Sequence, residues 1–111
     1  MKTILALVGL SLTLAGCSKD DGLPNAIQAK IAELKRQPKQ NPPAEIHSYL
    51  YQGQVVYTIS SNCCDQFNYV YDKDLNIICA PSGGFTGRGD GRCPDFAARA
   101  TQEHLVWRDP R

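Results

Sequence analysis

Three hydrophobic periods follow one another along this chain, and each predicts a different element. Ile4 to Leu14 forms an uncharged apolar stretch behind the single cation of Lys2. At 1.5 Å per residue, a helix of that length reaches about 16 Å, about half of a bilayer's hydrocarbon core, so it has the form of an export signal and not of a permanent span. From Asn25 the period lengthens. Ile27, Ile31 and Leu34 recur at i, i+4 and i+7, with Gln28, Lys30, Glu33, Lys35 and Arg36 on the other face, which predicts an amphipathic helix over 25–37 capped by Asn25. Pro38, Pro42 and Pro43 end it and make 38–44 a stiff connector.

Beyond the connector the period falls to two. Ile46, Ser48 and Leu50 alternate with His47, Tyr49 and Tyr51, Gln52-Gly53 turns the chain, and Gln54 to Ile59 is rich in β-branched residues, which predicts a β-hairpin. A second hairpin is predicted with arms Phe67 to Tyr71 and Ile77 to Ala80 around a polar turn at 72–76. Pro81 to Pro94 is rich in glycine and has no apolar run, so it reads as an ordered loop. Asp95 to Glu103 reads as a short helix, and Leu105-Val106-Trp107 as a segment docked on the core, helical or extended. Together these elements predict an α+β fold. Helix 25–37 packs on a small antiparallel sheet of about four strands, and residues 45–111 form a domain held by two disulfides around the Gly-rich loop.

The end of the apolar stretch, Leu14-Ala15-Gly16-Cys17, resembles the lipobox of bacterial lipoproteins at all four positions. The resemblance implies a signal peptide over 1–16, a lipidated Cys17 and a tether over 17–24. The chemistry suits the residues: a thiol is the strongest side-chain nucleophile for taking a diacylglycerol as a thioether, and small residues at Ala15 and Gly16 fit a peptidase cleft. Two or three acyl chains at about 0.8 kcal/mol per buried methylene hold such a chain on its membrane. Lys19-Asp20-Asp21 resembles the mark that certain Gram-negative lineages place after the lipid cysteine to send lipoproteins to the outer face of the outer membrane. The expected location is therefore the outer membrane, displayed at the cell surface or otherwise facing the periplasm.

Charge and cysteine content narrow the function. The chain carries 12 Lys and Arg against 11 Asp and Glu, and loss of residues 1–16 with Lys2 brings that balance to zero. A neutral surface lacks the footprint that holds phosphate backbones, so no nucleic-acid partner is expected. Of the 5 cysteines, Cys17 is assigned to lipid, leaving Cys63, Cys64, Cys79 and Cys93 as a disulfide framework in an exported chain. A bond between adjacent Cys63 and Cys64 is strained, so the expected pairings are 63–79 with 64–93, or 63–93 with 64–79. Spacing does not choose between them. The absence of Cys-x-x-Cys argues against zinc and against thiol redox catalysis.

Motifs with chemical promise are thin. Asp72-x-Asp74-x-Asn76 opens like a calcium loop, but Ile77 and Gly83 stand where such a loop needs glycine and glutamate, so a polar hairpin turn is expected. Gly83 to Arg92 lacks the Gly-Lys-Ser/Thr ending of a phosphate cradle, and Arg88-Gly89-Asp90 is a three-residue coincidence with an adhesion motif. His47 and His104 lie in no nucleophile pattern, and Asp65, Asp90 and Asp95 are of the kind that cap turns. No catalytic residue, metal or cofactor is expected. The aromatic pattern is richer: Tyr49, Tyr51 and Tyr57 in one hairpin and Phe67, Tyr69 and Tyr71 in the next form cross-strand neighbours. They either fill the sheet face beneath the helix or, with Asp90 nearby, leave a tyrosine-bearing contact surface.

From about Ile46 onward a longer pattern emerges. It runs Tyr49-x-Tyr51-x-Gly53-x-x-Val56-Tyr57, Cys63-Cys64-Asp65, Tyr71-Asp72, then Cys79-Ala80-Pro81-x-Gly83-Gly84-x-x-Gly87-x-Gly89-Asp90-Gly91-x-Cys93-Pro94-Asp95-Phe96. This succession resembles a family of small bacterial lipoproteins catalogued as a domain of unknown function. The resemblance implies one small exported domain with a disulfide framework and carries over no activity. The expected function is a non-enzymatic, lipid-anchored envelope module that binds an envelope or extracellular protein or glycan. The alternatives are a disulfide-pinned inhibitor of peptidases or other hydrolases and, less favoured, a carboxylate-dependent hydrolase. A protruding rigid loop favours the inhibitor, a flat aromatic sheet the module, and facing carboxylates of Asp65, Asp90 and Asp95 the enzyme.

Overall fold

The computed structural model describes residues 22–60 and 66–111. Cys17, the Lys19-Asp20-Asp21 segment, Cys63, Cys64 and Asp65 lie outside the described residues. The amphipathic stretch forms α1 (Asn25–Arg36), which buries Ile27, Ile31 and Leu34 as its spacing requires. The expected cap is corrected: Pro24 occupies that position without a side-chain cap bond, and Asn25 is the first helical residue. Pro24 suits a helix start because its carbonyl accepts from the Gln28 amide at 3.0 Å, while the proline has no amide of its own to satisfy. The Gln28 side-chain amide also donates to the Leu23 carbonyl at 2.8 Å.

The first hairpin is β1 (Glu45–Tyr51) and β2 (Gln54–Ile59), paired antiparallel from Ile46↔Ile59 to Tyr51↔Gln54. Gln52 and Gly53 both adopt left-handed backbone, φ 53° and 79°, as a two-residue turn matching the strands' twist demands. The second hairpin is β3 (Phe67–Tyr71) and β4 (Ile77–Gly83). Its turn is built on Asp72, whose Oδ1 accepts the Asp74 and Asn76 amides, each at 2.9 Å. That use of the carboxylate closes the polar hairpin turn.

Three readings of the C-terminal half are corrected. Pro81, Ser82 and Gly83 belong to β4 and not to the loop. A proline is tolerated there because β4 is an edge strand, where a missing N–H breaks no inner ladder. The helix after Cys93 is short, α2 (Phe96–Arg99), and Thr101 to Glu103 belong instead to β5 (Thr101–Arg108), which also takes up Leu105-Val106-Trp107. The described residues thus form a five-stranded antiparallel sheet of order β4-β3-β2-β1-β5, against the four strands expected.

Strand alternation places two apolar clusters on opposite faces of this sheet. On one face Ile46, Tyr57 and Ala44 pack under Ile27, Ile31 and Leu34 of α1, with Ile59, Val106 and Trp107 at the margin. On the other, Tyr51, Val56 and Val70 pack against Cys79, Cys93 and Phe96. The C-terminal segment therefore covers the face that α1 leaves bare. It is fixed there by a disulfide between Cys79 and Cys93, whose Cα atoms are 6.0 Å apart. Neither expected pairing contained this bond; the correction leaves Cys63 and Cys64, outside the described residues, without the partners those pairings assigned.

Candidate functional site

The loop between β4 and α2 is a cross-linked structure that folds back on β4. The Gly87 amide donates to the Gly84 carbonyl at 3.2 Å, the Gly89 amide to the Gly83 carbonyl at 3.0 Å and the Asp90 amide to the Ala80 carbonyl at 2.9 Å. Thr86 Oγ1 accepts the Arg88 amide at 3.3 Å, and Asp90 Oδ1 accepts the Arg92 amide at 2.9 Å. That amide is the main reason the Asp90 carboxyl is held below its usual range. Glycine is required where the fold-back is closest: a Cβ on Gly89, at φ +75°, would overlap the Ala80 carbonyl oxygen. A Cβ on Gly84 would lie 2.6 Å from the Phe67 ring, so the loop also rests on β3.

Out of this framework stands Phe85. Its exposure is 98%, whereas the next most exposed large apolar residues, Val55 and Ile77, are at 51% and 49%. A pinned loop cannot fold a side chain back onto the core, so the ring is presented to whatever approaches. Phe85 does carry a signal in the sequence: it is the one aromatic residue between Pro81 and Pro94, in a segment with no apolar run.

The tyrosines divide between two faces. Tyr49 and Tyr51 set their rings edge-on to Phe96, with centroids 5.2 and 5.0 Å apart. The Tyr51 hydroxyl donates to Asp95 Oδ1 at 2.8 Å, which with burial raises its pKa. Tyr57 is buried beneath α1, and burial raises its pKa too. Tyr69 and Tyr71 line up with Phe67 along β3, with ring centroids 5.7 and 6.1 Å apart. The carboxylates Asp90 and Asp95 are each engaged, Asp90 by its own turn and Asp95 by Tyr51.

A polar cluster joins β1 to β5. His47 Nε2 lies 2.9 Å from Glu45 Oε1 and its Nδ1 3.1 Å from Glu103 Oε2, which also accepts the Tyr49 hydroxyl at 3.2 Å. Arg108 reaches Glu45 at 3.4 Å, and the Glu45 carboxyl is lowered chiefly by its hydrogen bond to His47. A helix over 95–103 gives Glu103 no reason to meet His47, so this contact is not legible in the sequence. This cluster fastens the edge strand; His104 lies apart from it, beside Ser48 in the β1–β5 ladder.

A family model described as Domain of unknown function (DUF6970) matches residues 32–109. The chain belongs to this family. No curated protein and no solved structure matches it. The family's extent takes in all five strands, the Cys79–Cys93 bond and the Phe85 loop, and it begins within α1. The Cys17 segment lies outside the family match.

Proposed function

We propose that this chain is a lipid-anchored cell-envelope protein that docks a partner protein through the Phe85 loop. The anchor rests on Leu14-Ala15-Gly16-Cys17, with Cys17 as the acylated residue, and Lys19-Asp20-Asp21 supports outer-membrane surface display. The docking role rests on one observation, a fully exposed aromatic ring on a loop fixed by a disulfide and by five backbone and side-chain hydrogen bonds described above. Aromatic anchors dominate protein interfaces, and a loop already ordered before contact has little conformational entropy left to lose. We read the role as non-enzymatic, and the engagement of Asp90 by the Arg92 amide and of Asp95 by Tyr51 supports that reading.

The same rigidity supports a second reading, in which the partner is a hydrolase and the loop enters its cleft as an inhibitor. One experiment addresses both. A photoreactive phenylalanine analogue is placed at position 85 of the full chain and, as a control, at position 55, and intact cells are irradiated. The expected result is a discrete protein adduct at position 85 and none at position 55. An adduct partner that is a hydrolase, with activity blocked by the purified chain, selects the inhibitor. Absence of any adduct at position 85 overturns the docking role.

A further inference from the structure

We propose a second binding site, independent of the Phe85 loop, in which the cleft between α1 and β3 holds a neutral saccharide chain. The cleft has a volume of about 550 Å³, within the range of small-molecule sites. Its floor is the row Phe67, Tyr69 and Tyr71, which share one face of β3 because residues two apart along a strand point the same way. The three rings stand 5.7 and 6.1 Å apart, with planes inclined at 51° and 58°. Phe67 is 38% exposed, so part of this row is open and unclaimed by the core.

The facing side combines the apolar Leu34 of α1 with polar groups, Lys30 and Gln37 from α1 and its end and Gln40 from the connector. Gln40 Oε1 is buried and has no hydrogen-bond partner among the described residues. An unpaired buried acceptor is costly, so this oxygen calls for a ligand that donates. The occupant must therefore offer apolar C–H faces to a row of rings and hydroxyls to an amide. Pyranose rings do both, with C–H groups on one face to meet the negative π-surface and hydroxyls around the edge.

Charge and topology narrow the class further. Among the described lining residues Lys30 is the one cation, and it is paired with Glu33 at 3.4 Å, which disfavours an acidic sugar. β3 is an interior strand between β4 and β2, so a peptide has no outer sheet edge here to extend. The length of the row, three rings, calls for a chain of two or more sugar units.

The test uses the detergent-extracted full chain and a panel of neutral oligosaccharides of two to six hexose units, α- and β-linked, with binding followed by calorimetry. At least one member is expected to bind. Tyr69→Ala and Gln40→Leu should each weaken it tenfold or more, Tyr69→Phe should retain it, and Phe85→Ala should leave it unchanged. Circular dichroism and thermal midpoints identify any variant that fails to fold, and Gln40→Leu, in the connector, carries the test if Tyr69→Ala does. Binding by no member, or unchanged binding in folded Tyr69→Ala and Gln40→Leu, overturns the proposal. Loss of saccharide binding with the Phe85 adduct retained separates this site from the docking loop.

Discussion

Asp109 ties the last strand to the first helix. Its carboxylate is held by Arg111 through Nε at 3.0 and 3.1 Å and Nη2 at 2.8 Å, and Arg111 Nη2 donates in turn to the Leu34 carbonyl at 3.1 Å. That places a cation at the carboxyl end of α1, where the helix dipole favours one. The Asp109 side chain is almost wholly inaccessible, and its pKa is lowered to about 2, first by the Arg111 side-chain hydrogen bonds. In an unfolded chain the group titrates near pH ~3.9. A depressed folded value means stability that is fully present above the unfolded pKa and lost as pH falls from about 4 towards 2. Asp72 and Asp90, also lowered by backbone amides, add in the same direction. Asp109→Asn should therefore flatten the dependence of the thermal midpoint on pH between about 4 and 2, relative to wild type. A mutant slope equal to the wild-type slope would remove Asp109 from the acid sensitivity.

At the scale of elements, legibility followed burial on one side. The hairpins could be read because Ile46 and Val70 alternate with half-exposed neighbours, and because Gln52-Gly53 is a turn sequence with its own backbone logic. β5 could not. Thr101 to Leu105 are exposed throughout, so no period of two is written there, and Gln102 interrupts the strand with φ 56°. What holds β5 is its ladder to Ile46, His47 and Ser48 and the contacts of Glu103 and Arg108 with His47, Tyr49 and Glu45. Such contacts between residues more than fifty positions apart leave no local signal. The disulfide was missed for a related reason: elimination treated all four cysteines as cross-paired, whereas the loop's return brings Cys93 to the strand that carries Cys79. Its sequence separation is 14, for which restriction of the unfolded chain contributes about 3 kcal/mol. Replacing both cysteines by alanine should lower the unfolding free energy by about that amount in urea titration. An unchanged transition would show that the fold-back of the loop is set by its hydrogen bonds alone.

Taken whole, the molecule is a sheet covered on both faces, by α1 on one and by the disulfide-fixed segment with Phe96 on the other. This arrangement buries Tyr51, Tyr57 and Phe96. Tyr51 and Tyr57 are 2% and 6% exposed, whereas the row along β3 and the ring of Phe85 present aromatic surface outward. The α+β class and helix position were legible because they depend on periodicity. The contact surface is less so, because whether a tyrosine faces inward depends on which segment covers its face, and neither the loop over 81–94 nor the short helix expected after it carries a signal for the face it covers. With charge balanced in the chain after residue 16, the proposed docking of a protein would rest on shape and apolar contact, chiefly at Phe85.

The most direct measurement of that claim compares wild-type chain with Phe85→Ala for affinity towards the protein captured at position 85, with thermal midpoints recorded alongside. Since Phe85 is 98% exposed, its removal should leave the midpoint unchanged. As an interface anchor it should cost about 2 kcal/mol or more of binding free energy, about thirtyfold in affinity. Equal affinity in the two proteins would contradict the account, because the loop's rigidity would then serve the fold and not a partner.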